Sequence, residues 1–285
     1  MRSFDIIVVG GGHAGIEAAW IAAQFELTVG LVTMPGIGLA SAPCNPSVGG
    51  VGKGQVVREL DALGGLMGQL ADLAGIQYRT LNDSKGLAVQ STRVQIDKER
   101  YSLEAERLVA SQPFITVIRA QMRGLLRENA GFSVSTSVGT FRASRVIMTV
   151  GTFLNGKLHM GENQSQGGRV DAPASDSLLE IFRDIKKRPA RFKTGTPPRI
   201  LRSSIDTSRM EEQPSDPATR NFHLMNDPSV RNSRQISCFL THTNAETLEI
   251  IRANKERSPM YNGQIQGVGA RYCPSIEDKA YRYPD

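Results

Sequence analysis

Short apolar runs and helical stripes alternate from the start of this chain. Phe4 to Val9 is rich in Ile and Val, the pattern of a parallel strand covered on both faces. Ala14 to Phe25 follows with Ile16, Ala19, Trp20 and Ala23 on one helical face, and Leu27 to Thr33 supplies a second strand. Val56, Leu60, Leu63 and Met67 recur at helical spacing and predict one helix. Further on, Ile115 to Ile118 and Phe132 to Val138 read as strands. The second alternates through Phe132, Val134, Thr136 and Val138, and the two suggest a small antiparallel crossover. Arg145 to Val150 returns as an apolar strand ending at Gly151. Strand, helix and strand in this order predict an α/β fold with a parallel sheet.

The pattern changes after Lys193. Lys193 to Arg199 (KTGTPPR) is a rigid basic turn, and residues 200 to 234 are rich in Ser, Asp, Asn, Pro and Arg with few apolar anchors. This reads as a connection into an inserted domain, so we divide the chain into a first domain over 1–198 and a second over 199–285. Within the second, Ile236 to Thr241 is a strand candidate, and Thr243 with Glu246 fits a capping box for a helix through about Asn254.

Glycines give the first strand and helix a chemical meaning. Gly10, Gly12 and Gly15 form GxGxxG where the strand ends and the helix begins, within a strand–turn–helix–strand unit of about thirty residues. The first glycine allows the tight turn, the second lets backbone N–H groups approach a pyrophosphate, and the third allows close helix–strand packing. The helix N-terminus then faces the anion, with Gly11, His13 and Ala14 in the same turn. The bland alternative is a tight turn without a ligand. Thr33 stands where an acidic ribose-binding residue is expected, and its hydroxyl can take that hydrogen bond less distinctively. The strand closing on Thr149, Val150, Gly151 and Thr152 resembles the second nucleotide-contacting turn of glutathione-reductase-like flavoproteins, which favours FAD over a simple dehydrogenase cofactor. The expected fold is therefore a glutathione-reductase-like, doubly wound FAD-binding domain with a smaller inserted α/β domain.

Two further glycine-rich loops each carry a cysteine. Cys44, Asn45 and Pro46 open a loop continuing through Gly49, Gly50, Gly52, Lys53 and Gly54, and Gly267 to Pro274 holds Gly269, Arg271 and Cys273. A P-loop is rejected, because Gly54 follows Lys53 where Ser or Thr is required. Cys44 is read either as a small buried hydrophobe or as a reactive thiol. Cys238 lies inside a strand-like run and is assigned to packing.

Composition narrows the class. With 40% hydrophobic and 22% charged residues the chain is that of a globular domain rather than a disordered or fibrous one. Ile6 to Val9 is too short to span a bilayer and has no basic leader, which leads us to expect a cytoplasmic protein without a membrane partner. Three cysteines without CxxC spacing and four scattered histidines imply neither a disulfide framework nor a metal site. A net charge of +6 suits a polyanionic partner and is also common in proteins that touch none.

Taken together, SAPCNPSVGGVGKG (41–54), DALGG (61–65), LNDSKG (81–86), TVGTFLNGK (149–157), KTGTPPR (193–199) and GVGARYCPSIEDK (267–279) resemble the GidA (MnmG) family over essentially the whole chain. The family is the flavoprotein subunit of the tRNA wobble-uridine carboxymethylaminomethyl-modifying enzyme. The resemblance implies modification of C5 of that uridine with the GTPase MnmE, using FAD, NADH, a methylene group from 5,10-methylenetetrahydrofolate, and glycine or ammonium. By position, Gly10 to Gly15, Met122 and Ser175 would contact FAD, and Gly269 to Tyr283 would fall in the NAD segment. Addition of a thiolate at C6 makes uracil C5 nucleophilic, which raises Cys44 and Cys273 to catalytic candidates without deciding which attacks. Lys53, Arg93, Lys157, Lys193, Arg199 and Arg271 are candidates for tRNA phosphates, with a solvated surface charge as the bland reading of each. Family members are dimers. No closing strand and helix of a flavin domain precede Asp285, so we expect a truncated chain. The rival enzyme reading is a folate- and FAD-dependent tRNA 5-methyluridine methyltransferase, and the rival outside enzymes is a non-catalytic flavin- or tRNA-binding fragment.

Overall fold

A computed structural model describes residues 1–170, 181, 192–193, 195–231, 235–265, 267–269 and 274–282. Strands β1 (Ser3–Val9), β2 (Val29–Thr33), β3 (Ser47–Gly49), β4 (Gly75–Leu81), β5 (Ser91–Ile96), β6 (Ile115–Arg119), β7 (Met122–Glu128), β8 (Gly131–Thr136) and β9 (Gly139–Met148) alternate with helices α1 (His13–Gln24), α2 (Lys53–Ala62), α3 (Met67–Leu73) and α4 (Lys98–Ser111). The main sheet runs in the order β6-β2-β1-β9-β8-β7. β1 pairs in parallel with β2 and β9, and β2 with β6, while β7, β8 and β9 form an antiparallel meander. The α/β class read from the sequence holds. Because α1 leads to β2 on one side of β1 and β9 lies on the other, the C-terminal ends of β1 and β9 frame a topological switch point, where open parallel sheets bind ligands. Val8, Ile16, Ala19 and Leu31 join Tyr101, Ala105 and Val109 of α4 in the main core. The α4 residues form an i, i+4, i+8 stripe, and the Asp97 side chain caps the helix by accepting from Glu99 and Arg100 N–H.

The expected crossover between 115–118 and 132–138 is not what forms. β6 closes the parallel edge beside β2, and the antiparallel part is β7 with β8 and β9. Thr136 Oγ1 donates to Gly139 O (2.7 Å) and accepts from Val138 N–H (3.2 Å), so Val138 sits in a hairpin turn, 63% exposed, rather than on a strand face.

Between β2 and β6 the chain builds a three-stranded antiparallel sheet, β3-β5-β4. The single helix expected from Val56 to Met67 is two. α2 ends in a Schellman motif in which Gly64 N–H donates to Asp61 O and Gly65 N–H to Leu60 O, both at 2.9 Å, and Gly64 takes φ +85°. Its buried residues are Gly54, Val57 and Asp61, leaving Val56 and Leu63 exposed. α3 restarts on a cap supplied by α1: Glu17 accepts from Leu66 N–H (2.8 Å) and Met67 N–H (2.7 Å).

The chain divides into two compact units, Met1–Gly151 with Gln213–Cys238, and Thr152–Glu212 with Phe239–Asp285. It therefore crosses between them at 151/152, 212/213 and 238/239, none of which is the expected 198/199 boundary. The stretch 213–238 corrects the reading of 200–234 as poorly anchored. Phe222 is fully buried and belongs to the main core. Asp72 accepts from Phe222 N–H (3.0 Å), His223 N–H (2.9 Å) and Asn226 Nδ2 (3.2 Å), and His223 Nδ1 hydrogen-bonds Asp61 Oδ1 at 2.7 Å. Tyr78 N–H donates to Ser215 Oγ, Asp216 N–H donates to Tyr78 O, and Arg58 donates to Phe222 O (2.7 Å) while lying over its ring. Burial raises the Asp72 carboxyl above the usual carboxylate range against the pull of these donors.

The second unit contains a hairpin of β10 (Lys157–Met160) with β11 (Asn163–Gln166), and helices α5 (Ala245–Ala253) and α6 (Ile276–Arg282). Asn244, not Thr243, caps α5, its side chain accepting from Thr247 N–H at 2.8 Å. Tyr261 Oη donates to Asp278 Oδ1 (2.9 Å), and Lys255 Nζ lies over the Tyr261 and Tyr281 rings. Phe192–Lys193 pairs in parallel with Val268–Gly269. The strand expected over 236–241 is shorter, Cys238–Leu240.

Candidate nucleotide-binding site

Four glycines at the end of β1 face different surroundings. Gly10 has φ +115°, and a Cβ there would overlap the Thr149 carbonyl. A Cβ on Gly15 would overlap Gly10 O, and one on Gly11 would strike Thr33 Oγ1 and Leu39 Cδ2. These three are required by the fold itself. Gly12 differs: it takes an ordinary extended conformation, φ −74° and ψ −175°, and nothing lies within 4 Å of where its Cβ would be. Gly12 is the N-cap of α1, no side chain caps that terminus, and no acidic residue lies in its first turn. The space and the backbone donors therefore suit an anion that approaches close to the chain.

The turn is held from two sides. Thr149 N–H donates to Val9 O (2.8 Å), and Thr149 Oγ1 donates to Val9 O (2.8 Å) and Gly10 O (3.2 Å). On the other side Ala40 N–H donates to Gly11 O (2.8 Å). That loop is clamped by α4 and β6: Glu106 accepts from Leu39 N–H, Ser102 Oγ donates to Leu39 O, and Arg119 donates to both Ile37 O and Glu106.

Two basic side chains frame the turn. His13, the first residue of α1, lies against the Tyr101 ring at 5.5 Å. Burial, reinforced by the charge of Lys53, lowers its pKa to about 4, so the imidazole is neutral at neutral pH. Tyr101 Oη is buried with no hydrogen-bond partner, and burial, with Glu17 adding, pushes its phenol up. Lys53 opens α2, donates to Ser47 O (3.2 Å), and has its pKa lowered by the protein around its ammonium. It forms no ion pair among the described residues. The turn and Lys53 thus present neutral donors and positive charge.

The other predicted residues are placed as follows. Thr33 is buried with its hydroxyl against Gly11, and Met122 is buried at the start of β7 just beyond the C-terminal end of β6. Gly151 follows Thr149 with φ +55° and open space around it, and Ala14 is exposed on the first turn of α1. Cys44 is half-buried. Cys238 donates to Gln77 Oε1 (3.2 Å), and burial pushes its thiol up. Arg93 is half-buried on β5. Lys193, Arg199, Gly267 and Gly269 belong to the second unit. Ser175, Arg271 and Cys273 lie outside the described residues. Among the described residues no group of three or more His, Cys, Asp or Glu is placed to hold a metal ion, and no helix is long and apolar enough to cross a membrane. Sequence reasoning missed Glu17, Glu106 and Tyr101. The signal for Tyr101 and Glu106 was the stripe and Asp97 cap of an unremarked helix over 98–111, whereas Glu17 sits on α1 with nothing in the sequence pattern to mark it.

Comparison with known proteins converges on one family. Residues 5–285 match the family described as glucose inhibited division protein A. The chain is 47% identical over 287 residues to the tRNA uridine 5-carboxymethylaminomethyl modification enzyme MnmG of Wolinella succinogenes, covering 100% of this chain and 46% of that protein. To MnmG of Chlamydia felis it is 45% identical, covering 99% and 46%. The solved structure of Aquifex aeolicus GidA matches with a TM-score of 0.90 at 40% identity, over 100% of this chain and 48% of that one. The chain spans about half the length of the relatives it matches. With a glycine turn shaped for an anion and a family match running from Asp5 to Asp285, the chain belongs to the glucose inhibited division protein A family.

Proposed function

We propose that this chain is the dinucleotide-binding portion of an FAD-dependent enzyme that modifies C5 of the tRNA wobble uridine. Gly12 carries the FAD part: it is the one glycine of the turn that its own neighbours do not require, and it opens an uncapped helix N-terminus. The activity named for the relatives supports the rest.

Gly10 to Gly15 would hold the pyrophosphate, with Thr33, Met122, Gly151 and Ser175 contributing further contacts and Gly267 and Gly269 serving the nicotinamide nucleotide. FAD supplies hydride-transfer chemistry, with NADH as reductant and 5,10-methylenetetrahydrofolate as one-carbon source. Cys44 or Cys273 would add as thiolate to C6 of the uracil, moving an electron pair to C5, which bonds to the methylene carbon as one of that carbon's bonds to folate nitrogen breaks, and the nitrogen of glycine or ammonium later replaces the second folate nitrogen. Loss of the C5 proton and expulsion of the thiolate then restore the ring. Lys53, Arg93, Lys193, Arg199 and Arg271 receive RNA phosphates. The enzyme works in the cytoplasm as a homodimer with the GTPase MnmE.

Gly12→Val should fold as well as the parent by circular dichroism yet lose flavin absorbance, whereas Gly15→Ala should lose the fold. Gly12→Val protein that purifies with unchanged flavin content would overturn the FAD reading. In a protein of the relatives' full length, Cys44→Ser and Cys273→Ser should keep FAD and abolish the wobble modification. Wild-type levels of modified nucleoside in tRNA digests would remove the cysteines from the mechanism.

A further inference from the structure

Arg79 on β4 and Arg93 on β5 are direct cross-strand partners, so their side chains leave the same face of the three-stranded sheet. Both are half-buried. Like charges opposed in this way repel, and a guanidinium shielded from water costs free energy unless its five N–H groups find acceptors. Among the described residues neither arginine donates a hydrogen bond or pairs with a carboxylate. Arg93 Nε is cut off from solvent and has no partner. Other arginines of this unit are used differently: Arg58 donates to Phe222 O, Arg119 to Glu106 and Ile37 O, and Arg231 to Asn221 and Thr219 O.

No carboxylate among the described residues forms an ion pair with either arginine. Gln95 follows along β5 opposite Gln77, whose amide is occupied by Gln213 O and the Cys238 thiol. Asp216 feels the charge of Arg79, but its oxygens accept from Ala218 N–H and Thr219 Oγ1. We propose that Arg79 and Arg93 form a clamp for a phosphate group. Two planar forks match phosphate oxygens bidentately, and a phosphate between them offsets the repulsion of the pair. The phosphate is either free, as on a mononucleotide or inorganic phosphate, or a phosphodiester of a polynucleotide. No residue of the glycine turn takes part, so the clamp stands or falls independently of the FAD reading.

The test is a titration of the 285-residue chain followed through arginine 15Nε–1H resonances. Sodium phosphate replaces sodium chloride at constant ionic strength, and a short oligouridylate and sodium acetate are titrated separately. Two resonances should shift saturably, and they are assigned by their absence in Arg93→Lys and Arg79→Gln. Arg93→Lys keeps the charge but loses the fork, and should weaken binding about tenfold while the far-ultraviolet spectrum is unchanged. Saturation by the oligomer but not by inorganic phosphate assigns a phosphodiester, and the reverse assigns a free phosphate. No saturable shift with either probe, equal affinity in both variants, or an equal response to acetate would overturn the clamp.

Discussion

GxGxxG spacing located the turn, yet it did not distinguish what each glycine is for. Gly10, Gly11 and Gly15 are held by Thr149, Thr33 with Leu39, and the chain's own Gly10 carbonyl, whereas Gly12 answers to nothing in the protein. Gly11 was legible as a glycine but not for its reason, because Leu39 reaches it from a loop set by α4. His13 was legible as part of the turn, but its neutral state was not, because Tyr101 and Lys53 come from separate elements. That state has a pH signature. A histidine held at about 4 in the fold, against an ordinary 6.5, contributes stability that is fully present above 6.5 and is lost as pH falls toward 4. The loss is on the order of 3 kcal/mol at completion. Denaturant midpoints measured from pH 7 to pH 4 should therefore fall less steeply in His13→Asn than in the parent. Parallel pH profiles would show that His13 titrates normally. Glu17 and Asp72, raised by burial, run the other way, since protonation relieves their buried charge.

At the scale of elements, periodicity found β1, α1, β2 and β9 and misjudged the pieces with few apolar residues. The apparent stripe Val56, Leu60, Leu63, Met67 has helical spacing, but Gly64 and Gly65 stop α2, and the face that packs is Gly54, Val57 and Asp61. Two small residues and an acid do not read as a buried face. The same holds for 213–238, where Phe222 stands almost alone and the fastening is done by Asp61 and Asp72, ordinary surface residues by sequence pattern. Phe222→Ala should destabilise the first unit by about 3–5 kcal/mol, because it empties a fully buried ring position beside Gly49 of the three-stranded sheet. Thermal unfolding would check this. A shift under one degree would mean that the ring contributes little to holding 213–238 in place.

Across the whole molecule, the α/β class and the strand–turn–helix–strand unit around Gly10 were readable because they are written locally, in runs of five to twelve residues. The partition into units was not, because it rests on pairings such as Phe222 with Asp72, 150 positions apart. A chain ending at residue 198 lacks Ser215, Phe222, His223 and Asn226, the partners of Tyr78 N–H and the Asp72 carboxylate, so it should lose cooperative unfolding and bind a hydrophobic dye. A sharp transition in that shortened chain would show that the first unit does not need 213–238. During synthesis the same geometry sets a schedule. At roughly 5–20 residues per second, Asp72 leaves the ribosome about 8–30 s before Phe222. Through that interval the earliest-made half of the nucleotide fold waits unfinished, its acids and aromatic faces open to holdases and proteases. The last piece it needs is translated only after the whole first segment of its neighbour.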